Sequence, residues 1–105
     1  MNYIVYGIEC PRSGRILYVG KTSNLKNRIA THLNIYSNIT WWLNEIKSEG
    51  LCPVFKVLCR TDTNEMSCII EKQLIDYYSK LYCILNKNNN KNYRLSKHIH
   101  GKSNI

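Results

Sequence analysis

Hydrophobic and polar positions divide the chain into short alternating and longer helical segments. Tyr3-Ile4-Val5-Tyr6-Gly7-Ile8 is rich in β-branched and aromatic types and reads as a strand. Pro11 to Gly14 supplies turn chemistry, with Gly14 suited to a positive φ, and Ile16 to Val19 reads as a second strand ended by Gly20. These segments predict a β-hairpin. Ser23 or Asn24 then caps a helix from Leu25 to Leu33, in which Leu25, Ile29 and Leu33 form an apolar stripe. After a polar loop at 34–38, Thr40 caps a second helix through Trp41, Trp42, Leu43 and Ile46, which stops near Gly50. Pro53 introduces a strand from Val54 to Leu58. Asp62 and Glu65 make a capping box for a third helix. Its Met66, Ile69, Ile70, Gln73, Leu74, Tyr77 and Leu81 share one side, which predicts that this side packs on the sheet.

The order strand, strand, helix, helix, strand, helix predicts an α+β fold, a small three-stranded antiparallel sheet flanked by about three helices. A chain of 105 residues has room for one domain with a modest core, placed here at 1–86. From residue 87 the composition turns to asparagine and lysine, a basic tail over 87–105 with little to bury.

Charge sharpens the picture. A net charge of +8 on so short a chain implies an anionic partner, nucleic acid ahead of an acidic membrane surface. No acid occurs between Glu9 and Glu45, an interval that holds Arg12, Arg15, Lys21, Lys26 and Arg28. Lys87, Lys91, Arg94, Lys97 and Lys102 form a second acid-free run. Two basic regions around a more neutral body suit a surface that tracks phosphates. No apolar stretch approaches the length of a membrane span. Five cysteines without C-x-x-C spacing, and a Met1 that leads straight into a strand, predict reduced, mostly buried thiols in an intracellular protein.

Candidate chemistry gathers around the hairpin. Tyr6 and Tyr18 stand on its two strands, and Arg28 and His32 follow on the first helix at i, i+4, so they point the same way. Glu71 lies on the third helix, off the centre of its apolar side. Phosphodiester hydrolysis uses such parts: a carboxylate for a divalent metal, an arginine for the phosphate, a tyrosine or histidine for the proton of water. One carboxylate is too few for a metal pair. Each residue also has a plain structural reading, as a strand core tyrosine, a solvated arginine, a histidine at a helix C-terminus or an exposed acid. For Trp41-Trp42 the plain reading puts one ring in the core and one at the surface; the sharper one makes them a base-stacking platform.

Taken in order, these residues form a pattern: Ile4-Val5-Tyr6, Tyr18-Val19-Gly20, Lys21-Thr22, Asn24-Leu25, Arg28, His32, Glu71 and Asn86. The pattern resembles the GIY-YIG nuclease family over about residues 3 to 86. The resemblance implies a magnesium-dependent DNA endonuclease, with manganese able to substitute. It implies that Tyr6 assists deprotonation of water with His32 or Lys21, that Tyr18 and Arg28 hold the phosphate, and that Glu71 binds one metal ion. Lys21, Lys26 and Asn86 complete the expected substrate-binding set, with Asn86 steadying the site. No separate recognition module is visible, so specificity would come from the domain, its tail, a homodimer or a partner protein. Structure-specific or weakly specific cutting is then expected, ahead of site-specific restriction. The rival is a non-catalytic nucleic-acid-binding module on the same scaffold, against which stands the presence of every residue in the set.

Overall fold

The computed structural model describes residues 2–34 and 39–88. Most of the expected loop at 34–38, and the expected tail beyond residue 88, lie outside the described residues. Strands β1 (Tyr3–Glu9) and β2 (Ile16–Thr22) form the hairpin. Its turn is closed by Gly14, at φ 73°, whose N–H donates to the Cys10 carbonyl at 2.8 Å. β2 does not end at Gly20 as expected. Gly20, Lys21 and Thr22 continue the ladder opposite Tyr6, Val5 and Ile4. The glycine serves close approach rather than termination.

Strand β3 (Val54–Thr61) pairs with the other side of β1, giving an antiparallel sheet in the order β2-β1-β3. It outlasts its apolar run because Cys59, Arg60 and Thr61 keep pairing with Val5, Ile4 and Tyr3. Leu58 is the extra residue of a β-bulge between the partners of Val5 and Tyr6.

The helices are α1 (Leu25–Asn34), α2 (Thr40–Ser48), α3 (Asn64–Leu81) and a single turn, α4 (Leu85–Asn88), that the sequence reading did not contain. Asn24 caps α1, its Oδ1 accepting the Asn27 N–H at 3.1 Å. Leu33 is 52% exposed. A stripe at i, i+4, i+8 drifts by about 80° around a helix, and His32 takes the inward place at the end of α1 instead. Thr40 is the first residue of α2 and not its cap; the cap position belongs to Ile39, held by burial rather than by a side-chain hydrogen bond. Gly50, at φ 77°, closes α2 through a Schellman pair: its N–H reaches Lys47 and that of Leu51 reaches Ile46. Thr63, rather than Asp62, caps α3, accepting the Met66 N–H at 3.1 Å. Its extended backbone turns the side chain back over the first helical turn.

Alternation along β1 sends Ile4, Tyr6 and Ile8 to one face, against Trp42, Leu43 and Ile46 of α2 and Leu85 of α4. Trp42 is buried there and Trp41 is half-buried. Val5, with Ile16 and Val19, faces the other way, under Ile70, Leu74, Ile75 and Tyr78 of α3. Ile70 and Leu74 pack as expected, but the rest of the expected packing side of α3 is corrected. Met66, Ile69, Tyr77 and Leu81 are 48–57% exposed, whereas Ser67 is fully buried. The helix carries two apolar stripes, and the small Ser67, its Oγ satisfied by the Asn64 carbonyl at 2.7 Å, lets one of them settle close to the sheet. The five cysteines are free thiols, but only Cys10 is buried. Cys52 and Cys83 stand exposed in connecting segments, which corrects the expectation of mostly buried thiols. Among the described residues no helix is long and apolar enough to cross a membrane.

Seating through Ser67 has a measurable consequence. Ser67→Leu should overpack the helix–sheet contact and lower stability by about 1–3 kcal/mol in urea unfolding. A helix seated on the Met66 and Tyr77 side would accept that leucine without loss.

Candidate active site

The site is built on a missing side chain. Tyr6 lies directly opposite Gly20 in the hairpin, and its ring crosses the space where a Cβ of residue 20 would be. Such a Cβ would stand 2.5 Å from the Tyr6 Cζ and phenol oxygen. The ring, fully buried, runs along the sheet toward α1. There the phenol oxygen meets His32 Nε2 at 2.9 Å and accepts from Arg28 Nε at 3.4 Å. The i, i+4 spacing on α1 thus delivers both side chains to one atom.

Burial sets the protonation states. Desolvation, aided by the nearby Arg28 charge, lowers the pKa of His32 to about 4. The imidazole is therefore neutral near pH 7. Tyr6 has no other acceptor among the described residues, so the phenol donates to Nε2 while Arg28 donates to the phenol. Tyr6 itself is pushed up to about 12, chiefly by burial, with the Arg28 hydrogen bond opposing. Rings enclose His32 on three sides: Tyr18, Tyr6 and Phe55 have centroids 5.6, 6.0 and 6.1 Å away.

Tyr18 is half-buried beside Tyr6, at a ring separation of 6.3 Å. Its pKa is raised by burial, with Arg28 opposing and Glu71 adding. Glu71 acts on the same cluster through its charge, from α3 on the opposite face of the sheet. Burial raises its carboxyl, while Lys21, Arg28 and Lys72 hold it down. Lys21 fastens β2 to the start of α3 by donating to Asn64 Oδ1 at 3.1 Å. Arg28 and Lys26 are exposed.

Tyr6, Tyr18, Arg28, His32, Glu71 and Lys21 therefore form one electrostatically connected group. Lys26, two residues before Arg28, projects from another side of α1 and is not drawn into it. Among the described residues the Asn86 amide is seen hydrogen-bonding not to the group's side chains but to the backbone of Val19, which it grips from both sides. Oδ1 accepts the Val19 N–H and Nδ2 donates to the Val19 carbonyl, each at 2.7 Å. This fixes the strand between Tyr18 and Gly20. Among the described residues no three His, Cys, Asp or Glu side chains converge as metal ligands, and Glu71 is the carboxylate of the cluster.

Residues 2–82 match the model of the GIY-YIG catalytic domain. The chain belongs to the GIY-YIG family. No curated protein and no solved structure matches it. The family is one of nucleases, and the matched span includes the paired strands β1 and β2, on which Ile4-Val5-Tyr6 and Tyr18-Val19-Gly20 lie. Asn86 lies beyond the matched span. Two contributors escaped the sequence reading. Phe55 carries no signal of its own. Gly20 stood in the sequence as a strand end and as the last residue of the second tripeptide, with no link to Tyr6, although counting the hairpin register would have set the two opposite each other.

Two measurements test this GIY-YIG cluster. Gly20→Ala should displace the Tyr6 ring, break its bond to His32 and lower stability by about 1–3 kcal/mol. Retained stability with an unmoved Tyr6 ring would refute the close approach. His32 titrates near 4 folded and 6.5 unfolded, so the unfolded chain binds the extra proton between those values. Its contribution is complete above pH 6.5 and is lost as pH falls toward 4, by up to about 3 kcal/mol. His32→Gln should flatten that part of the pH–stability curve; an unchanged slope would place the titration elsewhere.

Proposed function

We infer that the chain is a metal-dependent DNA endonuclease that hydrolyses phosphodiester bonds with structure preference or low sequence specificity. The observation that carries this reading is the convergence of His32 and Arg28 on the Tyr6 phenol, beside Tyr18 and Glu71. A net charge of +8, and the acid-free interval from Arg12 to Arg28, favour a polyanionic substrate.

The donor set suits magnesium. That ion keeps several waters and is commonly held by one or two carboxylates together with substrate phosphates. Glu71, half-buried and facing Lys21 and Arg28, would hold it. When bound, the ion stabilises charge building on the scissile phosphate and leaving oxygen; manganese can take its place.

The chain's own residues do the rest. The exposed guanidinium of Arg28 pairs with the phosphate, and the half-buried hydroxyl of Tyr18 donates to it. Lys21 and Lys26 add positive charge along the strand path. Tyr6 takes the proton of the attacking water as its own proton passes to His32 Nε2, 2.9 Å away. Because one proton arrives as another leaves, no phenolate has to form, and a phenol with its pKa near 12 can take part. Asn86 positions the Tyr18-Val19-Gly20 strand through its two backbone bonds.

A second reading, a non-catalytic nucleic-acid-binding module, is favoured by one fact: Tyr6 is fully buried in the free chain. Cleavage separates the two. Wild type should nick supercoiled plasmid or a labelled branched duplex with magnesium or manganese. Glu71→Ala should lose cleavage by a factor of roughly a hundred or more while still binding DNA. Wild-type cutting by Glu71→Ala would overturn the metal role, and binding without cutting by the wild type under either metal would favour the module.

A further inference from the structure

His32 stands in the last turn of α1, and helix ends fray, so the backbone there fixes a side chain least well. The χ2 torsion of histidine is broad, so its own rotamer does not hold the imidazole plane either. Yet the residue is only 3% exposed and its Nε2 meets the Tyr6 phenol at 2.9 Å. The seat comes from the sheet.

Ile8 of β1 pairs with Tyr18 of β2 on one side and with Phe55 of β3 on the other. Directly opposed residues of antiparallel strands share a face, so these three side chains form one row across the sheet, on the face that bears Tyr6. The outer two stand two strand spacings apart, about 9.5 Å. Aromatic centroids pack about 4.5–7 Å apart, so the gap admits one further ring. His32 takes it. Its centroid lies 5.6 Å from Tyr18, close to edge-on, and 6.1 Å from Phe55, tilted by 32°. Tyr6, two residues along β1, closes the end of the row with its ring 6.0 Å away.

Tyr18 and Tyr6 are polar members of the cluster. Phe55 carries no polar side-chain atom, so what it brings is shape and the exclusion of water. It is half-buried on an edge strand, whereas the imidazole beside it is almost wholly buried. Deleting its ring would open that flank of His32 to solvent.

We propose that Phe55 is a positioning residue, the outer wall of a Tyr18–Ile8–Phe55 slot that holds the His32 imidazole in line with the Tyr6 phenol. All three strands then contribute to the proton path, β3 through this one ring. That the seating speeds cleavage rests on the nuclease reading; the seating itself does not.

Imidazole NMR of the ¹⁵N-labelled full chain reads the seat directly, with His32→Gln assigning the signal by its absence and circular dichroism confirming the fold. Wild-type His32 should titrate near 4. The titratable groups around it are Tyr6, Tyr18 and Arg28, and Arg28 is the charge that acts on it among the described residues. Phe55→Ala leaves all three in place, and should raise the midpoint toward 6.5 by about one pH unit or more as water reaches the ring. Phe55→Tyr keeps the wall and should stay near the wild-type midpoint. Phe55→Leu keeps most of the bulk without the ring and should fall between them, which carries the test if Phe55→Ala does not fold. On DNA with magnesium, Phe55→Ala should lower kcat about tenfold or more with KM little changed, since the wall serves proton transfer and not strand binding. An unmoved midpoint in folded Phe55→Ala and Phe55→Leu overturns the proposal, as does a Phe55→Tyr midpoint that moves as far as that of Phe55→Ala. A moved midpoint beside an unchanged kcat overturns the part of the seat in cleavage. A wild type that cuts no DNA fails the nuclease reading, and the midpoints still decide the slot.

Discussion

The buried ring of Tyr6 is the constraint on which the rest of the structure depends. It crosses β2 where Gly20 has no side chain, and its oxygen is the only point that β1 and α1 share through a polar contact with His32 and Arg28 among the described residues. A buried phenol needs a partner, since leaving it unpaired costs about 1–3 kcal/mol. Neutral His32 supplies one, which holds the last turn of α1 over the sheet. The same burial that makes the contact structurally valuable keeps the histidine unprotonated. Packing and proton inventory at this point are one arrangement viewed twice.

Helix α3 works from the other side of the sheet. Its inner stripe covers Val5, Ile16 and Val19, and Glu71 borders that stripe close enough to feel Lys21 and Arg28. A carboxylate in that position depends on how closely the helix sits. Ser67 allows the approach, and the Lys21–Asn64 bond ties the helix start to the strand that carries Tyr18. The two halves of the cluster are joined through β2, which both helices address from opposite faces.

Much of this was legible from the chain alone, for definite physical reasons. β-Branched and aromatic composition, punctuated by turn residues, located β1 and β2, and i, i+4 spacing placed Arg28 and His32 together, because both rest on local features of the chain. The class of fold followed from element order. What failed rested on choices between near-equivalent local options. Asp62 and Thr63 are both competent caps, and only the backbone entering α3 decides between them. Two apolar stripes on α3 compete for one sheet, and the small Ser67 settled the matter against the larger Met66 and Tyr77. Glycine's ordinary meaning as a strand end hid the packing role of Gly20, which depends on a residue fourteen positions earlier. Asn86 was placed in the pattern by resemblance, but its grip on Val19 spans most of the domain and no local rule reaches so far.

That grip has a consequence for how the molecule behaves in crowded solution. Val19 faces Gly7 across the hairpin, and its outward N–H and carbonyl are the groups through which an additional strand would attach to β2. Asn86 occupies both, acting as a one-residue stand-in for that strand. The opposite margin of the sheet, β3, is kinked by the Leu58 bulge and bears exposed Lys56 and Arg60. These are features that discourage strand addition. The sheet is thus stoppered at one margin and made inhospitable at the other, so it resists growing into a larger β-aggregate.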